Sequence, residues 1–470
     1  MTKSKERFGW NLLAISPVWR IIRKPVFPLV LQIIGLAGVT VLAINGWGVG
    51  LTESPQELMT LRKTNLTTLF VWGLWWPGMI AVALLAGRLW CTVCPMELVN
   101  RLGDALARRI GWPRARLGRW LKAGWVIVLI YVALQFLVAG FSIHRVPHYT
   151  SVMLAALFGA ALLTGLLFRD PRSFCRAFCP AGALLSVYGR YTPLQLDIRD
   201  PDVCGGCKTK DCVAEKNRFR FDRRSCPSMI QPFRRRQSDP CVLCFQCAKV
   251  CPYQNIGFGW VRRSATSREH RSLKPFEVLF LLIAAGFVAH EVAGEVKWFD
   301  AVFHTVPTAL HAWAPSVPFG WFEAFWFLLL FPAAIWLISL SASYLLGQRS
   351  PWKVVLIAAA TGAAPVVAEA HLAKAVAKGA AWGGFLPLAL TDPAGIENLG
   401  RIQNETLALP SAVIGLPAVG FVMLLTAAVL FWRSWSWSRE AVPDSITAAR
   451  TGLVTASLCV ASLLTFWVWG

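Results

Sequence analysis

Apolar runs close to the length needed to cross a bilayer recur along this chain, and they limit its fold more than any other feature. About 20 apolar residues span the hydrocarbon core as a helix, because a helix satisfies its own backbone hydrogen bonds where no water can. Nine such runs are legible, at 26–47, 66–87, 121–141, 149–168, 275–293, 321–347, 353–372, 410–432 and 446–469. A further stretch, 373–391, carries Lys374 and Lys378 among small residues and reads as a helix lying in the interface. A mean hydropathy of +0.51 with 56% hydrophobic residues excludes an ordinary water-soluble protein. The first run follows a basic stretch but is long, and it reads as a retained helix rather than a cleaved signal.

A formal net charge of +22 would suit a nucleic-acid binder, but its distribution points elsewhere. The basic residues gather at the N-terminus (Lys3, Lys5, Arg7, Arg20, Arg23, Lys24), in 88–122, in 169–274, at Arg349 and Lys353, and in 433–450. The alternate loops carry Glu53, Glu57, Glu291, Glu295, Asp300, Asp392, Glu397 and Glu405. This is the positive-inside pattern of a multi-pass protein in a bacterial cytoplasmic (inner) membrane, with a cytoplasmic N-terminus. The lipid bilayer is then the expected partner, and no nucleic acid is. The clusters Arg218–Arg224, Arg234–Arg236 and Arg262–Lys274 read as anchors to anionic lipid or as a docking patch for an acidic electron carrier.

Three parts follow. Residues 1–168 form a four-helix membrane domain built from a duplicated hairpin, 169–274 a polar cytoplasmic insert, and 275–470 a five-helix C-terminal membrane domain. The expected fold class is therefore membrane all-α, about nine transmembrane helices, with a ferredoxin-like two-[4Fe–4S] insert. The duplication shows in the cysteines. One hairpin runs into Arg88-Leu89-Trp90-Cys91-Thr92-Val93-Cys94-Pro95, and the other into Arg172-Ser173-Phe174-Cys175-Arg176-Ala177-Phe178-Cys179-Pro180.

Thirteen cysteines are present, and twelve fall on the expected cytoplasmic side, where thiols stay reduced and metal ligation is favoured over disulfides. Cys459, alone in the last span, reads as packing. The insert carries Cys241, Cys244, Cys247 and Cys251-Pro252 in the C-x2-C-x2-C-x3-C-P spacing that wraps three thiolates around one iron–sulfur cube and sends the fourth to a neighbour. Upstream, Cys204, Cys207 and Cys212 are followed by Cys226-Pro227. Exchanging the fourth ligand assigns one [4Fe–4S] cluster to Cys204, Cys207, Cys212 and Cys251, and the other to Cys241, Cys244, Cys247 and Cys226. Gly205 and Gly206 would let the backbone approach the first cube. Two structural zinc sites are the competing reading, and a trailing Cys-Pro with three tightly spaced ligands argues against them.

In the membrane-edge pairs, proline after the second cysteine suits the first turn of a helix, so Cys94 and Cys179 would sit at helix N-termini that favour a thiolate. Cys91, Cys94, Cys175 and Cys179 could hold a third iron–sulfur or other metal centre, form a redox-active disulfide, or remain free thiols. Arg88 and Arg172 would balance the charge of such a centre or anchor the interface. Of seven histidines only His270 falls in the insert; His144, His148, His290, His304, His311 and His371 map to the opposite loops or helix ends. His290 and His371, beside Glu291 and Glu369, read as ligands of a b-type haem, as proton acceptors at a quinone site, or as ordinary interface histidines.

With the Cys-Pro repeats and the two-cluster insert taken together, residues 25–290 or so resemble the polyferredoxin membrane proteins of the nitrous oxide reductase regulator, periplasmic nitrate reductase quinol dehydrogenase and cytochrome oxidase accessory cupric reductase type. The resemblance implies electron transfer between the quinone pool or a cytoplasmic donor and a partner redox enzyme, with partner subunits in a complex. Alternatives are a cupric reductase acting as an assembly factor and a structural anchor for redox partners. Two departures stand out: Cys91 and Cys94 have two intervening residues where the pattern has three, and the last five helices exceed it.

Overall fold

A computed structural model of the chain describes residues 8–50, 54–192, 194–234, 241–261 and 272–469. Lys3, Lys5, Arg7, Glu53, Arg235, Arg236 and 262–271, with Arg262 and His270, lie outside the described residues.

The chain is mostly helical. Among the described residues, eight helices are long and apolar enough to cross a membrane: Leu29–Gly46, a run that starts at Leu66, Pro147–Leu167, Pro275–Ala293, Phe319–Leu345, Trp352–Gly383, Leu416–Ser436 and Ile446–Trp469. The expected run 121–141 is interrupted. Gly124, with φ of 87°, takes the left-handed conformation, which leaves a short helix Arg119–Ala123 and an apolar helix Trp125–Gly140 of 16 residues.

The stretch expected to lie in the interface does not form a separate helix there. Trp352–Gly383, 32 residues long, takes in its first part, and the short helix Leu386–Thr391 follows. The lysines are tolerated because they are neutralised inside the protein. Lys374 Nζ lies 2.5 Å from Glu295 Oε1 and donates to the Glu291 carbonyl at 2.7 Å, and Lys378 Nζ lies 3.8 Å from Glu291 Oε2. A buried charge with a partner has no need to reach water.

The chain divides into two compact units. The first comprises Met1–Val39, Val82–Gly124 and Leu157–Arg271. It holds a three-stranded antiparallel sheet of order β1-β3-β2, with β1 Phe8–Asn11, β2 Leu194–Ile198 and β3 Ile256–Val261. The sheet was not expected from the sequence. Leu196 pairs with Phe258 and Ile198 with Ile256, and this face packs with Ile22, Leu243, Phe245 and Cys247 into the unit's core. The strand period of two thus sets an apolar floor beneath the insert's cysteines. Gly259 is required by β1: a Cβ there would collide with the Trp10 carbonyl.

The second unit comprises Thr40–Ala81, Trp125–Ala156 and Ser272–Gly470. Its axis is Trp352–Gly383, whose alanines at 358, 359, 360, 363, 364, 368 and 370 are buried. Small residues let backbones approach where lipid supplies no hydrophobic drive. Gly362 faces the Ala449 carbonyl and Gly452 the Ala359 carbonyl, so Ile446–Trp469 lies directly against this helix.

Candidate metal centres

All twelve candidate cysteine ligands lie in the first unit. Cys204, Cys207, Cys212 and Cys251 come together: Cys204, Cys207, Cys212, Cys247 and Cys251 line one cleft. Burial, then repulsion from Cys251, Cys204 and Cys207, pushes the Cys212 thiol up to about 12. A second set forms around Cys226, Cys241, Cys244 and Cys247. Burial and the other thiols push Cys244 up to about 12 and raise Cys247 well above the ordinary range. Cys247 also feels Cys212, so the two sets adjoin.

The membrane-edge pairs form a third set. Trp90–Val93 and Ser173–Ala177 are short helices, each followed by an extended cysteine and a proline that opens a new helix: Cys94 before Pro95–Arg109, Cys179 before Pro180–Tyr188. Cys179 Sγ accepts from the Gly182 N–H at 3.3 Å. Burial first, then Cys175 and Cys91, pushes Cys179 up to about 12. Buried thiols that repel one another do not ionise alone near neutral pH; a metal centre held by these four residues would supply the positive charge that makes four thiolates tolerable side by side.

The sulfurs are also spaced too widely for zinc. Four thiolates on zinc at 2.3 Å stand about 3.8 Å apart. Among the described residues, no set of three thiols falls within 4.8 Å of one another. The donor sets therefore fit a larger, many-atom centre.

The backbone prepares these loops, in a way that sequence reading missed. Of the non-glycine residues with positive φ among those described, Arg172, Lys210, Met229, Leu243, Phe245 and Gln254 each lie within three residues of a candidate ligand. Such conformations cost on the order of 1 kcal/mol each and persist where the surroundings demand them. Here they turn N–H groups toward sulfur. Thr209 and Lys210 donate to Cys207, Ser228 and Ile230 to Cys226, and Gln246 to Cys244. The Asn255 N–H lies 3.5 Å from Cys251 Sγ and its Nδ2 3.3 Å from Cys204 Sγ. Gly205 and Gly206 close the short helix Pro201–Gly205, with Gly206 at an ordinary φ of −80°.

Arg88 and Arg172 are 8% and 5% exposed, so neither is an interface anchor. A Cβ on Gly182 would come 3.1 Å from the Arg88 guanidinium, beside Cys175 and Cys179. Arg172 Nη1 donates to Ser228 Oγ at 2.6 Å. Burial alone would lower the Arg172 pKa, but Cys175, Cys91 and Glu97 outweigh it and hold the guanidinium charged. Arg172 also acts on Cys226, which places it between the membrane-edge set and the second insert set. The Arg218–Arg224 cluster turns partly inward too. Arg218 meets Asp104 at 2.9 Å and Arg224 meets Glu97 at 3.5 Å, with both arginines mostly buried. Those two are internal counter-charges rather than lipid anchors.

Among the described residues, the histidines occupy the second unit. His371 is buried beside Trp76 and Phe287. His290 stacks on Phe327 and neighbours His304.

A protein-family model described as a 4Fe–4S binding domain matches the chain at residues 68–113 and 151–195. These stretches contain Cys91 and Cys94, and Cys175 and Cys179. An uncharacterized protein of Methanocaldococcus jannaschii is 30% identical over 187 residues, which is 38% of this chain and 67% of that protein. The chain belongs to the polyferredoxin-like proteins that carry this 4Fe–4S domain. Also similar to this polyferredoxin-like protein are the methylamine utilization ferredoxin-type protein MauN of Paracoccus denitrificans, 27% identical over 180 residues (35% of this chain, 57% of MauN), and a second uncharacterized protein of M. jannaschii, 23% identical over 197 residues (38% of this chain, 76% of that protein). No solved structure matches. The polyferredoxin-like protein is an iron–sulfur electron-transfer protein.

Proposed function

We propose that this protein is a quinol-linked electron-transfer subunit of a bacterial inner membrane, with the cysteine insert on the cytoplasmic side, passing electrons between the quinone pool or a cytoplasmic donor and a partner redox enzyme. The observation that carries the reading is the sequence of three adjoining thiol quartets in one unit, the last of them at the ends of membrane helices. A [4Fe–4S] cluster, when bound, takes up and releases single electrons. In this reading Cys204, Cys207, Cys212 and Cys251 hold one cluster, Cys226, Cys241, Cys244 and Cys247 a second, and Cys91, Cys94, Cys175 and Cys179 a third. The chain's residues do the rest. N–H groups aimed at sulfur and the buried Arg88 and Arg172 offset negative charge, and the core of Leu196, Ile198, Ile256 and Phe258 keeps water from the floor of the insert.

A quinol also needs a proton acceptor within the membrane. Glu369, 1% exposed with both carboxylate oxygens lacking a hydrogen-bond partner, and the buried His371 lie two residues apart in Trp352–Gly383. Ionisable groups inside spans mark functional sites. The test uses the full chain, purified anaerobically in detergent and mixed with a reduced quinone analogue. Bleaching of the visible iron–sulfur absorbance supports the reading. No bleaching, with turnover of cupric ions that disappears in Cys91→Ser, replaces it with a metal reductase.

A further inference from the structure

The second unit contains a side-chain cluster that electron transfer through cysteine-held clusters does not use. His290 stands in the last turn of Pro275–Ala293, His304 joins Lys297–Phe303 to Thr305–Trp313, and Glu323 lies in Phe319–Phe325. Residues from three segments thus meet at one point, at the end of Pro275–Ala293 remote from Pro275. One donor atom from each lies within 4.8 Å of the others. His304 Nε2 is 2.8 Å from Glu323 Oε1, and His290 Nε2 is 3.8 Å from the same oxygen.

We propose that His290, His304 and Glu323 bind a divalent first-row transition-metal ion. Two imidazoles and one carboxylate are the donor set of open zinc and non-haem iron sites, with a position left for water or another ligand. The imidazoles are positioned for it. His304 Nδ1 is engaged by Asp300, at 2.8 Å from its carbonyl and 3.1 Å from Oδ1, which fixes the ring and directs Nε2 at the site. A metal-bound histidine is normally held by such a partner on its other nitrogen. The His290 ring is held by stacking on Phe327, with centroids 4.5 Å apart and planes 6° apart.

A His304–Glu323 ion pair alone accounts for less of the geometry. It leaves His290 Nε2 at 3.8 Å from Glu323 Oε1, too far for a hydrogen bond. A cation between the three donors gives His290 Nε2 a partner and places the carboxylate against a positive charge.

The test is zinc binding by the full chain, purified anaerobically and stripped of loosely held metal by a brief chelator wash that leaves iron and sulfide content unchanged. Added Zn²⁺ should bind with about one equivalent per chain, and its X-ray absorption spectrum should show imidazole scattering and no sulfur. His304→Ala and Glu323→Gln should abolish this equivalent while iron and sulfide stay at wild-type levels. Asp300→Asn, which touches no metal and keeps the backbone carbonyl on His304 Nδ1, should weaken binding by no more than about 10-fold, the low end of what loss of a ligand's supporting carboxylate costs. Zinc bound through sulfur would overturn the proposal, because the ion would then sit among the cysteines. So would unchanged zinc binding in His304→Ala or, should that variant fail to fold, in Glu323→Gln.

Discussion

At the scale of single residues, the chain divides its charged groups between holding a centre and balancing it. Cys91→Ser removes one thiol from the membrane-edge set and leaves the insert's eight untouched. The expected result is a loss of about four iron and four sulfide per chain, the content of one cubane, measured chemically on anaerobic protein. Arg172 has a different task. It reaches Cys175 on one side and acts on Cys226 on the other, and it is buried. A cation so placed favours the more negative, reduced state of its neighbours. Arg172→Met should therefore lower a reduction potential by on the order of 100 mV, the scale of one unit charge at about 6 Å in a medium of effective dielectric about 20. Arg172→Lys should recover most of it, which a purely structural role would not require; redox titration followed by spin resonance reads the shift. The closeness of Cys241, Cys244 and Cys247 was legible from their spacing, because a C-x2-C-x2-C loop curls around one point. The left-handed residues Lys210, Met229, Leu243 and Phe245 were not, since nothing in those side chains signals a positive φ.

At the scale of elements, close helix contact and a pinned turn carry the stability. Gly452→Leu would drive a side chain into the Ala359 carbonyl of the facing helix. An overpacking loss of about 1–3 kcal/mol is expected, read as a lower unfolding midpoint in detergent. Gly400→Ala, where nothing lies within 4 Å of the new Cβ, should be neutral or gain up to about 1 kcal/mol. In the first unit, Arg169 donates to the Ala115 carbonyl at 3.0 Å and Leu117 to Asp170 Oδ2 at 2.7 Å, and Lys122 pairs with Asp170 at 3.2 Å. Burial works to raise the Asp170 pKa, but the Leu117 N–H and Lys122 more than offset it, and the carboxyl stays below its usual value. A depressed carboxylate stabilises the fold above its unfolded value of about 3.9, and that stabilisation is lost as pH falls through the lower folded value. Asp170→Asn should thus cost about 0.5–1 kcal/mol at pH 7, given partial exposure, and nothing at pH values below the folded titration. The apolar helices were legible because their composition admits few alternatives. The β1–β3 pairing was not: it joins residues some 250 apart through backbone hydrogen bonds, which leave no mark on composition. The continuation of Trp352 to Gly383 was hidden for another reason, since Lys374 and Lys378 look interfacial until Glu291 of a different helix, and Glu295 just past that helix's end, come to meet them.

At the scale of the whole molecule, the number of centres separates a conductor from an anchor. An anchor with clusters for stability needs only the two insert sites, whereas a route ending at membrane helices needs the membrane-edge set as well. The family match falls on that set, covering Cys91, Cys94, Cys175 and Cys179. Protein isolated without oxygen should therefore contain about twelve iron and twelve sulfide per chain, as three cubanes require. After partial reduction, interacting spins should broaden the resonance, because Cys247 feels Cys212 and Arg172 acts on both Cys175 and Cys226, so neighbouring sites adjoin. A count near eight, unchanged by Cys175→Ser, would leave the membrane-edge thiols without a cluster and turn the reading toward dithiol chemistry at that edge. Selective oxidation then decides the matter, since a Cys91–Cys94 or Cys175–Cys179 disulfide would form reversibly and resist alkylation, while thiols holding a cluster would be freed for alkylation only as iron is lost.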